Sequence, residues 1–192
     1  MKHREFIEQL EATPIVAAVK DERGLEDALR TDIGIIFILY GDVVTIPGIV
    51  EKVKDVGRTA FVHMDLIGGL LPKEPAVEYI RKSTKADGII TTRAKLIGPA
   101  ADMGLLTVLR FFLLDSIALA NVKKQGRPEM RQPDVIEVLP GIIVPKLMKE
   151  IRKASRVPVM AGGLITEKAD VLNALEGGAI AISTTNEKVW VE

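Results

Sequence analysis

Pro158-Val159-Met160-Ala161-Gly162-Gly163-Leu164-Ile165 and Ala179-Ile180-Ala181-Ile182-Ser183-Thr184-Thr185 are two short apolar runs, each ending in small residues. Uninterrupted apolar runs of this length read as strands buried on both faces, the habit of parallel sheets. Two adjacent parallel strands that end in Gly-Gly and Ser-Thr form a cradle where a phosphate can approach the main chain without meeting a Cβ. In an eight-stranded parallel barrel such a cradle follows strands seven and eight. The fold therefore depends on whether six further strands precede this pair.

Working back along the chain, six do. The runs are Ile15–Val19, Gly34–Tyr40, Thr59–Met64, Gly88–Thr91, Leu105–Leu113 and Val135–Leu139. Helical patterns separate them, so the unit repeats every roughly 24 residues, as βα units of one parallel sheet do. The expected fold is α/β, a compact (β/α)8 TIM-type barrel with a short or missing eighth helix, because only nine residues follow Ser183. Residues 1–192 are expected to form one domain, with an N-terminal helix over 1–12 and the barrel over 13–192. That helix, or a partner subunit, is expected to cover the face the eighth helix would shield. An internal echo points to duplicated half-barrels: Gly68-Gly69-Leu70 against Gly162-Gly163-Leu164, and Thr91-Thr92 against Thr184-Thr185.

Composition narrows the function. Lys and Arg total 26 and so do Asp and Glu, so no global field advertises a polyanion or a membrane. There is no cysteine, hence no disulfide, thiolate nucleophile or cysteine-ligated metal. The opening Met1-Lys-His-Arg-Glu-Phe-Ile-Glu has no apolar signal core, and no run is long enough to span a bilayer, so a cytoplasmic protein is expected. Locally the charge is uneven. Residues 123–156 hold nine basic and four acidic side chains, whereas residues 1–60 hold eight basic and eleven acidic.

Barrels carry their sites at the C-terminal ends of strands. Those ends supply Lys20, His63, Asp65, Arg93, Arg110, Glu137, Gly162, Gly163, Ser183 and Thr184. One anion cradle, several cations and two or three carboxylates suit a small phosphorylated polyol: donors take the phosphate, acceptors take hydroxyls. Phosphate is assigned to Gly162, Gly163, Ser183 and Thr184, and the rest of the ligand to Lys20, Asp65, Arg110 and Glu137. Each has a structural rival: the glycines relieve a tight turn, Ser183 and Thr184 cap one, and the carboxylates pair with Arg110 or Lys20. His63 alternates with apolar neighbours and reads as a satisfied core histidine. Gly68, Gly69, Thr91 and Thr92 leave a second anion site open. The basic flank, with Lys123, Lys124, Arg127 and Arg131, could meet a phosphate backbone, its rival being a solvated helix face. No metal-ligand spacing, P-loop, dinucleotide fingerprint or nucleophile elbow is present, so no metal, cofactor or catalytic residue is assigned.

Five motifs in order resemble one family. They are His63-x-Asp65-Leu66-Ile67-x-Gly69-Leu70, Asp87-Gly88-Ile89-Ile90-x-Thr92, Pro133-Asp134-x-Ile136-Glu137-Val138-Leu139-Pro140-Gly141, Ala161-Gly162-Gly163-x-Ile165 and Thr184-x-Asn186-x-Lys188-x-Trp190. Together, across nearly the whole chain, they resemble the glycerol-3-phosphate-responsive antiterminators. The resemblance implies a bacterial cytoplasmic regulator without catalysis, whose effector is sn-glycerol 3-phosphate and whose partner is the leader mRNA of glycerol-utilisation genes. A homodimer is a further expectation, from the missing eighth helix. The competing reading is an isomerase or lyase acting on a small phosphorylated substrate. Lys20 after strand one and Glu137 after strand six suit it, but no imidazole follows strand four.

Overall fold

The computed structural model describes residues 1–125, 127, 129–142 and 145–191. Eight parallel strands close into a barrel in sequence order: β1 (Ile15–Val19), β2 (Ile35–Ile38), β3 (Thr59–His63), β4 (Gly88–Thr91), β5 (Leu106–Phe112), β6 (Val135–Leu139), β7 (Val159–Gly162) and β8 (Ile182–Thr184). Closure leaves no edge strand, so the strands are largely buried on both faces and mostly apolar, with His63, Arg110, Glu137, Ser183 and Thr184 among the polar exceptions toward their C-terminal ends. A helix α1 (His3–Ala12) precedes the barrel. The outer ring is α2 (Glu22–Leu29), α3 (Ile46–Asp55), α4 (Glu74–Ser83), α5 (Ile97–Asp102), α6 (Ser116–Gln125), α7 (Pro145–Ala154) and α8 (Lys168–Glu176). β8 is shorter than expected, beginning at Ile182, although Ile180 donates to the Val159 carbonyl at 2.8 Å and Ala181 accepts the Ala161 amide at 3.0 Å on the approach to it.

The register sets which side chains meet inside. Ala18 pairs with Phe37, Phe37 with Phe61, Phe61 with Gly88 and Gly88 with Leu106. Carried through the remaining pairings, the ladder passes positions 133, 156 and 177 and returns at position 10, eight residues before Ala18. That offset is the shear of an eight-stranded barrel, so planes across its axis climb one residue per strand. One plane holds Ala18, His63, Arg110 and Gly162 from the odd strands. Beneath it lie Phe37, Ile90, Glu137 and Ser183 from the even strands, then Val16, Phe61, Val108 and Met160. Above it, at the rim, come Leu39, Thr92, Leu139 and Thr185. Two small residues thus stand across the barrel from two large polar ones, which opens the interior at its C-terminal end.

The expectation for the N-terminal helix needs correcting. α1 does not cover the side that lacks a helix; it plugs the bottom of the barrel. Phe6 and Leu10 are fully buried among the interior residues Val16, Phe37, Phe61 and Val108, with the Phe6 and Phe61 rings 4.8 Å apart. Thr59 Oγ1 donates to Gln9 Oε1 at 3.0 Å, tying the plug to β3. The amphipathic spacing placed one face of α1 correctly but could not name what that face meets. The side left by the missing eighth helix is instead covered by a single tight turn, Val189–Val191, whose Trp190 indole donates to the Thr184 carbonyl at 2.9 Å.

The internal echo is half structural. Thr91 and Thr184 occupy equivalent levels of β4 and β8. Gly162 is level with His63 and not with Gly68, so the Gly-Gly-Leu pairs do not correspond.

Candidate functional site

The floor of the open end is a buried charged network. Arg110 Nε donates to Glu137 Oε2 at 2.6 Å, and the Ser183 hydroxyl donates to Glu137 Oε1. Glu137 is fully buried and Arg110 is 7% exposed. A carboxylate so enclosed is tolerable only because both oxygens are engaged. Gly162 makes the arrangement possible: a Cβ there would lie 2.5 Å from Glu137 Oε1 and 2.7 Å from Ser183 Oγ. Its lack of a side chain thus serves a close approach of side chains within the barrel.

Arg110 spends only Nε on Glu137. Among the described residues its two terminal nitrogens donate no hydrogen bond, and the side chain lines a cavity of about 290 Å³. The remaining walls include Ala18, Leu39, Leu139, Gly163, Leu164, Ser183, Thr185 and Asn186. That volume lies at the small end of ligand pockets, which run from roughly 300 Å³ upward. Over the floor the chain turns back sharply: Gly163 has φ +77° and Leu164 φ +59°, the latter the one non-glycine residue in the left-handed region among those described. A leucine held there is strained, and such strain collects at ligand-binding turns. The Gly163 amide belongs to the pairing of β7 with β8, whereas among the described residues the amides of Leu164 and Thr185 donate no hydrogen bond. The hydroxyls are already committed, Ser183 to Glu137 and Thr184 to the Ile165 carbonyl at 2.8 Å. The donors offered at the mouth are therefore one guanidinium and a set of main-chain amides.

The other predicted residues lie around this centre. Lys20 stands exposed at the end of β1 and forms no ion pair among the described residues. Asp65 accepts the Thr92 amide at 2.8 Å and Arg93 Nε at 3.2 Å, so its partner is Arg93 and neither Arg110 nor Lys20. This also uses a donor of the possible second anion site. The Gly68 amide there is taken by the Gly41 carbonyl at 2.9 Å.

His63 departs from its expected role. It is in the core, at 2% exposure, but it is not satisfied: Nδ1 is sealed from solvent and has no hydrogen-bond partner. Asp65 Oδ2 lies 3.7 Å from it, beyond bonding distance. Burial, followed by the charge of Arg110, pulls the imidazole from its ordinary 6.5 down to about 4, so it is neutral at physiological pH.

The basic flank lies elsewhere. α6 runs antiparallel to the strands, so Lys123 and Lys124 in its last turn, with Arg127 and Arg131 beyond, gather toward the end of the barrel opposite the mouth. Lys123 Nζ lies 3.7 Å from Glu150 and Arg131 donates to Asp102 at 3.0 Å. Lys124 and Arg127 form no ion pair among the described residues.

Several residues of the sequence motifs hold the frame. Asp87 accepts the Ala60 amide at 2.9 Å and the Lys54 ammonium at 2.6 Å. Asp134 accepts the amide and hydroxyl of Thr107 at 2.7 and 2.9 Å. Both pin neighbouring strands at the N-terminal end, where barrels keep their stabilising residues. Asn186 Nδ2 donates to the Thr166 carbonyl at 2.9 Å, fastening the tail to the loop after β7. Sequence reasoning missed Leu164, Thr185 and Asn186 as mouth residues. They sit in βα loops, where no periodicity marks them. Among the described residues no group of three or more His, Cys, Asp or Glu is placed to hold a metal ion, and no helix is long and apolar enough to cross a membrane.

Comparison with known proteins bears on this arrangement. Residues 15–190 match the family model described as glycerol-3-phosphate responsive antiterminator. The crystal structure of the glycerol uptake operon antiterminator regulatory protein from Listeria monocytogenes is 31% identical. It superposes with a TM-score of 0.85 over 93% of this chain and 95% of that one. A glycerol uptake operon antiterminator-related protein from Thermotoga maritima is 32% identical, with a TM-score of 0.77 over 92% and 96%. The uncharacterized protein YgcP of Escherichia coli K12 is 40% identical over 181 residues, covering 94% of this chain and 93% of its own.

Proposed function

The chain belongs to the glycerol-3-phosphate responsive antiterminator family, and on that premise we propose that it is a non-catalytic regulator. It binds sn-glycerol 3-phosphate at the barrel mouth and then the leader mRNA of glycerol-utilisation genes, in the cytoplasm. The observation that carries the reading is Arg110. A nearly buried guanidinium with two unspent nitrogens, facing a small cavity, is a preorganised phosphate receptor, because its donors act in a medium that screens them poorly. The unbonded amides of Leu164 and Thr185 complete the shell.

The enzyme reading loses support at Glu137. A base must be free to take a proton, and this carboxylate is held by Arg110 and Ser183 beneath the floor.

Ligand binding at one end must reach RNA through the loops after β5, β6 and β7. In and beside them Phe112 at the end of β5, Leu114, Ile117 in the first turn of α6, Ile142 and Leu164 are exposed. Ordering them around the ligand favours one arrangement of α6, which spans the barrel from the mouth to Lys123 and Lys124. The shift is no larger than the ligand's preference for that arrangement. The homodimer stays part of this proposal, with the side left by the eighth helix as its surface.

A leader-RNA mobility-shift assay with and without glycerol 3-phosphate tests the regulator. RNA affinity should rise with the ligand, and reversing charge at Lys123, Lys124 and Arg127 should weaken RNA binding while leaving ligand affinity intact. RNA affinity indifferent to the ligand, or robust turnover of triose or sugar phosphates, would overturn it.

A further inference from the structure

Resting on the regulator reading just proposed, we infer that the RNA met at the plugged end of the barrel is a base-paired stem, held by its phosphates across the C-terminal ends of α6 and α7. Arg152, Lys153 and Arg156 are then the second half of the face begun by Lys123, Lys124 and Arg127.

Three observations converge. First, α6 packs on α7, and both run antiparallel to the strands, so their last turns stand side by side at the end opposite the mouth. Packed helix axes lie about 8–10 Å apart, which brings these six exposed cations onto one continuous surface. A helix dipole accounts for a cation in each last turn, but Arg127 and Arg156 lie beyond the helices. Second, this charge is not neutralised. Among the described residues only Lys123 of the six approaches a carboxylate, Glu150 at 3.7 Å. Arg152 instead donates from Nε to the Gly178 carbonyl at 2.9 Å, which orients the guanidinium and leaves its charge uncompensated. Glu11 of α1 lines the same groove as Arg152 but forms no ion pair with it. Elsewhere at this end the cations are spent within the protein: Lys82 pairs with Glu78, Lys85 with Glu51 and Lys54 with Asp87. The field there is therefore one-sided. Third, no ring stands ready to stack on a base. Of the eight aromatic side chains only Phe112 is exposed, and it lies at the mouth. Single strands are held by stacking their bases on aromatic rings, whereas a double helix presents shape and rows of phosphates. Unpaired cations without aromatics match the double helix.

Fluorescence anisotropy in the presence of glycerol 3-phosphate reads this with two probes: a synthetic RNA hairpin whose stem spans roughly 16 base pairs, and an oligouridylate of the same length. The wild-type chain should bind the hairpin more tightly by about tenfold or more. The triple variant Arg152→Gln, Lys153→Gln, Arg156→Gln should lose about tenfold in hairpin affinity, and its slope of log affinity against log salt should fall by about two to three. Thermal unfolding followed by circular dichroism checks that this variant is folded. Lys82→Gln with Lys85→Gln, on the ion-paired side, should leave the slope unchanged. Hairpin affinity untouched by the α7 substitutions, an equal loss in the Lys82 and Lys85 variant, or tighter binding of the oligouridylate would overturn the inference while leaving the regulator standing. So would a wild type that shifts the leader RNA but ignores the hairpin. A wild type that binds neither hairpin nor leader RNA would remove the regulator reading and the inference with it.

Discussion

At the scale of single residues, His63 has a stability signature independent of any ligand. Its imidazole titrates at about 4 in the folded protein against 6.5 when free. Between those values the unfolded chain binds the extra proton and the folded chain does not. Stability is therefore complete above pH 6.5 and falls as pH drops through the window, by up to about 1.4 kcal/mol per unit from this one group. Denaturant unfolding measured from pH 7 to pH 4 should show that slope, and His63→Leu should flatten it. Equal slopes in both proteins would mean that the ring is hydrated or paired. The sequence placed His63 in the core but not its lack of a partner, because satisfaction depends on how Asp65 turns away after β3 and on what stands across the barrel on β5 and β7. Glu137 shows the same limit. A carboxylate inside an apolar run is visible in the sequence, whereas its pairing with both Arg110 and Ser183 follows from register alone.

At the scale of elements, strands were the legible part. Ile15–Val19, Gly88–Thr91 and Val135–Leu139 begin and end where their apolar runs do, since a strand buried on both faces lacks the polar alternation that would blur its limits, even where Glu137 interrupts one. Placement of α1 was not legible, because one apolar face fits the side or the bottom of a barrel equally well. Its role there is testable. Phe6 is fully buried against Phe61, so Phe6→Ala should cost about 3–5 kcal/mol, with the barrel bottom open to water. Urea unfolding should show the unfolding free energy fall by that amount, read as a lower midpoint at unchanged m; a loss under about 1 kcal/mol would mean that the plug frays at little cost.

At the scale of the whole molecule, the barrel separates two tasks. The C-terminal end holds an anion-ready cavity floored by Arg110, and the opposite end gathers the cations of Lys124 and Arg127. A balanced 26 basic and 26 acidic side chains hides this polarity, which is why net charge said little about partners. The link between the ends depends on the mouth receiving phosphate. The most direct test is calorimetric titration of glycerol 3-phosphate into the wild-type chain and into the double variant Arg110→Met, Glu137→Gln. The double variant removes the receptor without stranding a buried charge. Saturable binding to the wild type, at least about tenfold weaker or absent in the folded double variant, is the expected result. Equal affinity in both, or no heat with the wild type, would contradict a phosphate site on Arg110.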